Sequence, residues 1–274
     1  MVTSQNPQKS PLPGVFFAQK KNGTIYYRSS ITYRQKHISL GSYDDCQAAN
    51  AAYEEARMLL DHPEILFDSQ YPLSALSFEK YVILMNFRDN RYYFKNPIYA
   101  YTKYFLYFLS PDHILKFDTD DLFYYASHKI MKRGGHLFFA DYGMQVSLLS
   151  RYGIRPYSVE GRDYRFINGD PNDFRYENIQ ILLPYHGVQA IIRPSRICYK
   201  TVIHIRSNYV VGIYDSMEQA AIAYNKAVDI LKRNGFKRRF LQNYIETLSP
   251  SEYASIYTEI SVSEKIQKLK PGTS

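Results

Sequence analysis

Tryptophan is missing from all 274 residues, and cysteine occurs only at Cys46 and Cys198. Two cysteines so far apart, with no Cys-x-x-Cys, exclude the usual cysteine-based zinc sites and fit a reducing compartment. No apolar run is long enough to cross a bilayer. The nearest, 98–109, is broken by Lys103 and several tyrosines. The first residues lack the apolar core of a signal peptide. These absences predict a cytoplasmic protein with no membrane partner. A further absence is local. There is no Asp or Glu from Met1 to Tyr43, and none from Asn178 to Tyr214.

What fills those two acid-free stretches is basic. The first holds Lys9, Lys20, Lys21, Arg28, Arg34 and Lys36, and the second holds Arg193, Arg196, Lys200 and Arg206. Acids return only afterwards, with Asp44, Asp45, Glu54 and Glu55, and again with Asp215 and Glu218. The whole chain carries a net charge of +8, which favours a polyanionic partner, nucleic acid before membrane. Aromatic residues are plentiful, with 28 Tyr and 16 Phe, so some tyrosine hydroxyls are candidates for phosphate contacts.

Read in order, the chain repeats itself. Residues 1–12 are polar and Pro-rich and read as a loose arm. Short strands follow at 14–19, 26–31 and 36–40, with Asn22-Gly23 as a hairpin turn signal. Asp44 is a candidate N-cap for a helix marked by Ala48, Ala49, Ala52, Tyr53, Ala56, Leu59 and Leu60, which ends near 61–63. The same unit returns late. Gly41-x-Tyr43-Asp44 is echoed by Gly212-x-Tyr214-Asp215, and Ala49, Ala52, Tyr53 and Ala56 by Ala220, Ala223, Tyr224 and Ala227. Gly14-Val15 and Gly187-Val188 begin the two copies. Seven matches in register indicate an internal duplication of a strand-strand-strand-helix module. Between the copies, a helix is expected over 77–88. Another opens at Ser249-Pro250-Ser251-Glu252, and the Lys-rich end after it reads as loose.

Two resemblances rest on these residues. Each copy resembles the AP2-like DNA-binding module, through Leu40-Gly41-Ser42-Tyr43 and through Gln219-Ala220-Ala221-Ile222-Ala223-Tyr224. That family places its sheet in the major groove and braces it with the helix. The stretch 164–181 resembles the core of HNH nucleases, in the branch that carries such modules. Ile167, Asn168, Gly169, Asp170, Asp173, Arg175, Glu177 and Asn178 match, with Ile179 in place of Leu. The family's metal-binding aspartate and general-base histidine fall on Arg165 and Phe166. Arginine offers only donors and a positive charge, and phenylalanine has no lone pair to accept a proton. The family's later ligand falls on Gly187, and its early histidine on Ser150, followed by Arg151. The resemblance therefore implies a scaffold whose cutting chemistry is deleted, with strands over 148–151 and 162–166 and a short helix over 172–181.

The fold class expected is α+β: two AP2-like modules of three strands and a helix, flanking a degenerate HNH domain. The boundaries read 1–65 for the first module, 66–110 for a connector and 111–184 for the HNH-like region. The second module covers 185–248 and a tail 249–274. Strand alternation puts Tyr26, Arg28 and Ser30 on one outward face and His204 and Arg206 on the other. The candidate DNA-binding residues are Lys20, Tyr26, Arg28, Arg34, Lys36, Gln189, Arg193, Arg196, Lys200, His204 and Arg206. Arg151, Arg162, Arg165 and Arg175 join them as phosphate contacts. No catalytic residue, metal or cofactor is expected. The implied partner is double-stranded DNA at a bipartite site, bound specifically by a nucleoid-associated protein and, on this reading, a transcriptional regulator. The alternatives are an active nuclease with ligands recruited from Asp163, Asp170 or His186, and a non-specific architectural protein.

Overall fold

The computed structural model describes residues 8–9, 11–155 and 158–272. It is α+β and contains two compact units. One is Met1–Gly153 with Asp170–Asn178, and the other is Ile154–Gly169 with Ile179–Ser274.

The first unit opens with an antiparallel sheet of β1 (Gln8–Lys9), β2 (Val15–Gln19), β3 (Ile25–Tyr33) and β4 (Lys36–Tyr43), in that order. The arm expected to be loose supplies β1, because Gln8 and Lys9 pair with Phe17 and Phe16 along the edge of β2. Residues 1–7 and 10 of that arm lie outside the described residues. Helix α1 (Cys46–Asp61) is capped by Asp45, one residue later than expected. The Asp45 carboxylate accepts the Gln47 and Ala48 N–H groups, each at 2.8 Å. Its small residues Ala52 and Ala56 let it lie close on Ile31, Ile38 and Leu40, all buried.

Helix α2 (Phe78–Asn90) packs into the same core, with Ser77 at its N-cap. Two buried charges tie this segment to α1. The Glu55 carboxylate accepts the N–H groups of Ser74, Ala75 and Leu76 at 2.6–2.9 Å. The Arg88 guanidinium donates to the carbonyls of Leu59, His62 and Ile65, which caps the end of α1.

Next come β5 (Ile98–Ala100), β6 (Tyr104–Ser110) and β7 (His113–Asp118), an antiparallel sheet, and then α3 (Leu122–Ser127). A second small sheet follows, of β8 (Ile130–Arg133), β9 (His136–Asp141) and β10 (Met144–Ser147). The strand expected over 148–151 is instead a 3-10 helix, Leu148–Tyr152, closed by Gly153 in the left-handed region. The helix expected over 172–181 is also absent. Its backbone is already committed, because Lys116 N–H donates to Asn172 and Phe174 N–H donates back to Lys116. The Asp170 and Asp173 carboxylates take the N–H groups of Asn172 and Arg175 as well, the local bonding that competes with helix. Only a 3-10 turn, Tyr176–Asn178, remains.

The second unit begins with a two-stranded ribbon, β11 (Tyr164–Phe166) against β12 (Ile179–Ile181). A three-stranded meander follows, of β13 (Val188–Ile192), β14 (Ile197–His204) and β15 (Asn208–Tyr214), backed by α4 (Met217–Arg233). The Ser216 hydroxyl caps α4. Then come α5 (Pro250–Glu259), with a full capping box between Ser249 and Glu252, and α6 (Glu264–Lys268). The tail expected to be loose is docked through residue 269. Val262 and Ile266 are buried with Ile203, Val211 and Leu231, and Ser263 N–H donates to the Val211 carbonyl at 2.9 Å.

The two units share one construction. Gly14 and Gly187 lie at φ +69° and +73°, a region that glycine enters without penalty. Their carbonyls accept from Ser30 and Val202 at 3.0 and 2.7 Å. A β-bulge interrupts each central pairing, after Ser29 in β3 and after Thr201 in β14. The Tyr43 and Tyr214 hydroxyls donate to the Ala75 and Ser261 carbonyls. The offset between matched positions falls from 173 at Gly14/Gly187, to 172 at Ser29/Thr201, to 171 at Tyr43/Tyr214.

Candidate nucleic-acid interface

In the first unit, pairing sets Phe16, Arg28 and Ser42 side by side on the sheet face away from α1. Ala18 and Tyr26 form the next row. Two cations lie near the Tyr26 ring, with Lys20 Nζ at 5.8 Å and Arg28 Cζ at 5.5 Å from its centroid. Such pairings hold two long side chains over the sheet at a modest gain. Ser30, expected to face out, is buried, and its N–H donates to Gly14 where the chain enters β2.

The turn between β3 and β4 has Arg34 and Gln35 at φ 45° and 63°. A two-residue hairpin loop of this kind is usually filled by Asn-Gly, so an arginine here is held at some conformational cost. Arg34 lies 5.1 Å from the Tyr33 ring, and Lys36 lies 5.0 Å from that of Tyr93.

In the second unit the corresponding row is Gln189, Lys200 and Ile213. Lys200 therefore stands where Arg28 stands in the first. Arg206, expected on a strand, lies in the turn between β14 and β15. Val202 pairs with Val210 farther along, and the His204 ring bonds the Asn208 side chain at 2.9 Å. A cleft of about 330 Å³ opens on this face, lined by Arg155, Gln189, Val202, His204 and Asn208. Arg155 Nη2 donates to the Pro184 carbonyl at 3.3 Å. Burial and then the Arg155 charge hold the His186 imidazole below the usual histidine range. Arg155 and Asn208 escape sequence reasoning, since neither sits in a motif or in the alternation of a predicted strand. Arg193 is exposed in the turn between β13 and β14. Arg196 pairs with Asp215 at 3.0 Å, both well exposed, and such a pair contributes little stability.

The four arginines Arg151, Arg162, Arg165 and Arg175 differ sharply. Arg165 is exposed on β11, its Nε donating to Gln180 at 2.7 Å, while Phe166 beside it is buried. Arg162 is held by Asp163 at 2.7 Å. Burial disfavours the Asp163 charge, yet Arg162 and the Val159 N–H more than offset this and keep its carboxyl below the usual range. Arg175 makes a bidentate pair with the buried Asp173 and a further bond to Glu177. Arg151 pairs with the buried Asp121 and stacks 3.7 Å from the centroid of Tyr124. Tyr176 donates its hydroxyl to the other Asp121 oxygen at 3.0 Å. Burial works against the Arg151 charge, but Asp121 outweighs it and keeps the guanidinium ionised. Arg151 and Arg175 are thus committed to carboxylates of their own unit.

The matched acids and amides of this region staple a loop. Asn178 donates to the Asp173 carbonyl at 2.8 Å, and Asp173 N–H donates to Asp170. Asp170, named above as a possible ligand, accepts the Asn172 N–H at 2.9 Å. Among the described residues, no three His, Cys, Asp or Glu side chains gather as a metal-binding cluster. No described helix is long and apolar enough to cross a membrane. Compared with protein-family models, curated proteins and solved structures, the chain matches none.

Proposed function

We propose that this protein binds double-stranded DNA through the outward sheet faces of its two repeated modules and does not cut it. One observation carries the reading: the same sheet-and-helix construction occurs twice, and each time the strands and their turns hold cations and no acid. On this reading Arg28, Lys200, Gln189 and His204 meet the duplex from the strands, with Lys20, Arg34, Lys36, Arg193 and Arg196 around them. Guanidinium and amide groups suit base edges in the major groove, and lysines suit phosphates. Two small modules linked in one chain raise affinity by effective concentration, which favours a bipartite site. Arg165 and Phe166 replace a metal ligand and a base, so the HNH-like stretch keeps a backbone-binding role only. Specific binding of this kind suits a transcriptional regulator.

The test is incubation of the purified chain with supercoiled plasmid and Mg²⁺ or Mn²⁺. Retarded but unbroken plasmid is the expected result. Metal-dependent nicking that persists in Phe166→Ala would establish the nuclease alternative.

A further inference from the structure

A second basic feature follows the last strand of the second unit in the chain. From Lys232 to Arg239 the chain holds five cations and no acid. Lys232 and Arg233 are in the last turn of α4, where the helix dipole favours positive charge. Lys237, Arg238 and Arg239 lie beyond that turn, so the dipole does not explain them. The following chain brings Arg238 to the β14–β15 turn, where its Nη1 donates to the Ile205 carbonyl at 2.6 Å. This bond fixes the guanidinium at the wall of a cleft of about 320 Å³. Arg206, Ser207 and Lys270 line the same cleft with the apolar Phe236 and Leu269, and among the described residues no acidic side chain lines it. Among the described residues, neither Arg206 nor Arg238 has a carboxylate partner.

We propose that this cleft is a phosphate-binding site, and that the phosphate it takes is one of the nucleic-acid backbone. The chemistry is that of an oxyanion between two guanidinium groups. A guanidinium offers five donors in a planar fork, and Arg238 spends one on Ile205. The Ser207 hydroxyl adds a donor. Anchoring Arg238 before the ligand arrives reduces the entropy lost on binding. The backbone assignment rests on the DNA-binding reading above, whereas the oxyanion site does not. A backbone contact here would fix the second module's register on a duplex without reading bases.

The experiment uses the ¹⁵N-labelled full chain, with arginine Nε–H resonances followed by NMR. One arm titrates inorganic pyrophosphate and the other a 20-base-pair duplex of arbitrary sequence. Both are expected to shift Arg206 and Arg238. Arg206→Gln, at an exposed position with no ion pair among the described residues, should unfold at the parent temperature. It should weaken duplex binding about tenfold, uniformly across sequences, and make the slope of log K against log salt shallower by about one. A response to pyrophosphate alone keeps the site and assigns it to a free phosphate ligand. If the chain binds no duplex at all, the DNA reading fails while this arm still reports on the cleft. Shifts of neither arginine with either ligand would overturn the proposal, as would an unchanged pyrophosphate response in Arg206→Glu.

Discussion

The ring of Tyr53 occupies the space that a Cβ on Gly14 would need, and Tyr224 stands against Gly187 in the same way. A helix tyrosine thus packs on a backbone that only glycine can supply, once in each unit. At Gly187 the missing Cβ would also meet backbone, the Val202 carbonyl at 2.5 Å. Both glycines have positive φ, so an alanine there adds strain to the clash. We expect Gly187→Ala to cost about 2–3 kcal/mol and Gly14→Ala somewhat less, since Gly14 meets a side chain and no backbone atom. Urea unfolding measured on each variant checks the order.

Glu55 predicts a pH dependence. Burial raises its pKa, but the N–H groups of Ser74, Ala75 and Leu76 outweigh this and hold it below the ordinary value of 4.5. A carboxyl lowered in the folded state contributes stability that is fully present above its unfolded pKa and lost as pH falls through the folded one. Stability of the native chain should therefore drop below about pH 4.5. Asp163 and Asp173 are lowered too and titrate in the same direction. The useful quantity is the difference from Glu55→Gln, which should be about 1–3 kcal/mol at pH 7 and shrink towards zero in acid. A difference that stays constant with pH would exclude the carboxylate as the cause.

Arg151 and Arg165 make opposite predictions. Removing Arg151 strands the buried Asp121 carboxylate, so Arg151→Met should cost about 3–5 kcal/mol. Arg165→Ala, on an exposed strand, should leave stability within about 0.5 kcal/mol and weaken DNA binding instead. Thermal unfolding and duplex titration of the two variants separate these roles.

The duplication predicts that Arg28 and Lys200 are the equivalent pair. Arg28→Ala should cost about 1–3 kcal/mol of binding at one base position if it reads a guanine edge. Lys200→Ala should weaken binding evenly and flatten the salt dependence if it meets phosphate. Titrations on matched and singly mismatched duplexes at several salt concentrations distinguish the two.

Much of this architecture is legible in the sequence because it rests on periodic signals. The Ala-Tyr spacing of α1 and α4, the Gly-x-Tyr before each helix and the Ser249 capping box all encode local geometry. What is not legible depends on partners distant in sequence. Arg151 and Arg175 read as spare cations until Asp121 and Asp173 are seen beside them. Glu55 and Arg88 look like surface charges, yet they bind backbone groups 19 or more residues away. Strand alternation read from the sequence offers Arg28 and Arg206 as the outward arginines of the two copies. Strand pairing makes Lys200 the counterpart of Arg28 in the duplication instead, and places Arg206 in a turn. In the tail, Val262 and Ile266 are too sparse to announce a docked helix, although each is buried.

The most direct test of DNA recognition by both modules is selection of bound sequences from random duplex DNA, repeated with residues 1–65 deleted and with 1–65 intact but Arg28 and Arg34 changed to Ala. Two enriched motifs at a fixed spacing are expected, one of which disappears with loss of the first module's cations. Absence of enrichment over the input pool would contradict such recognition.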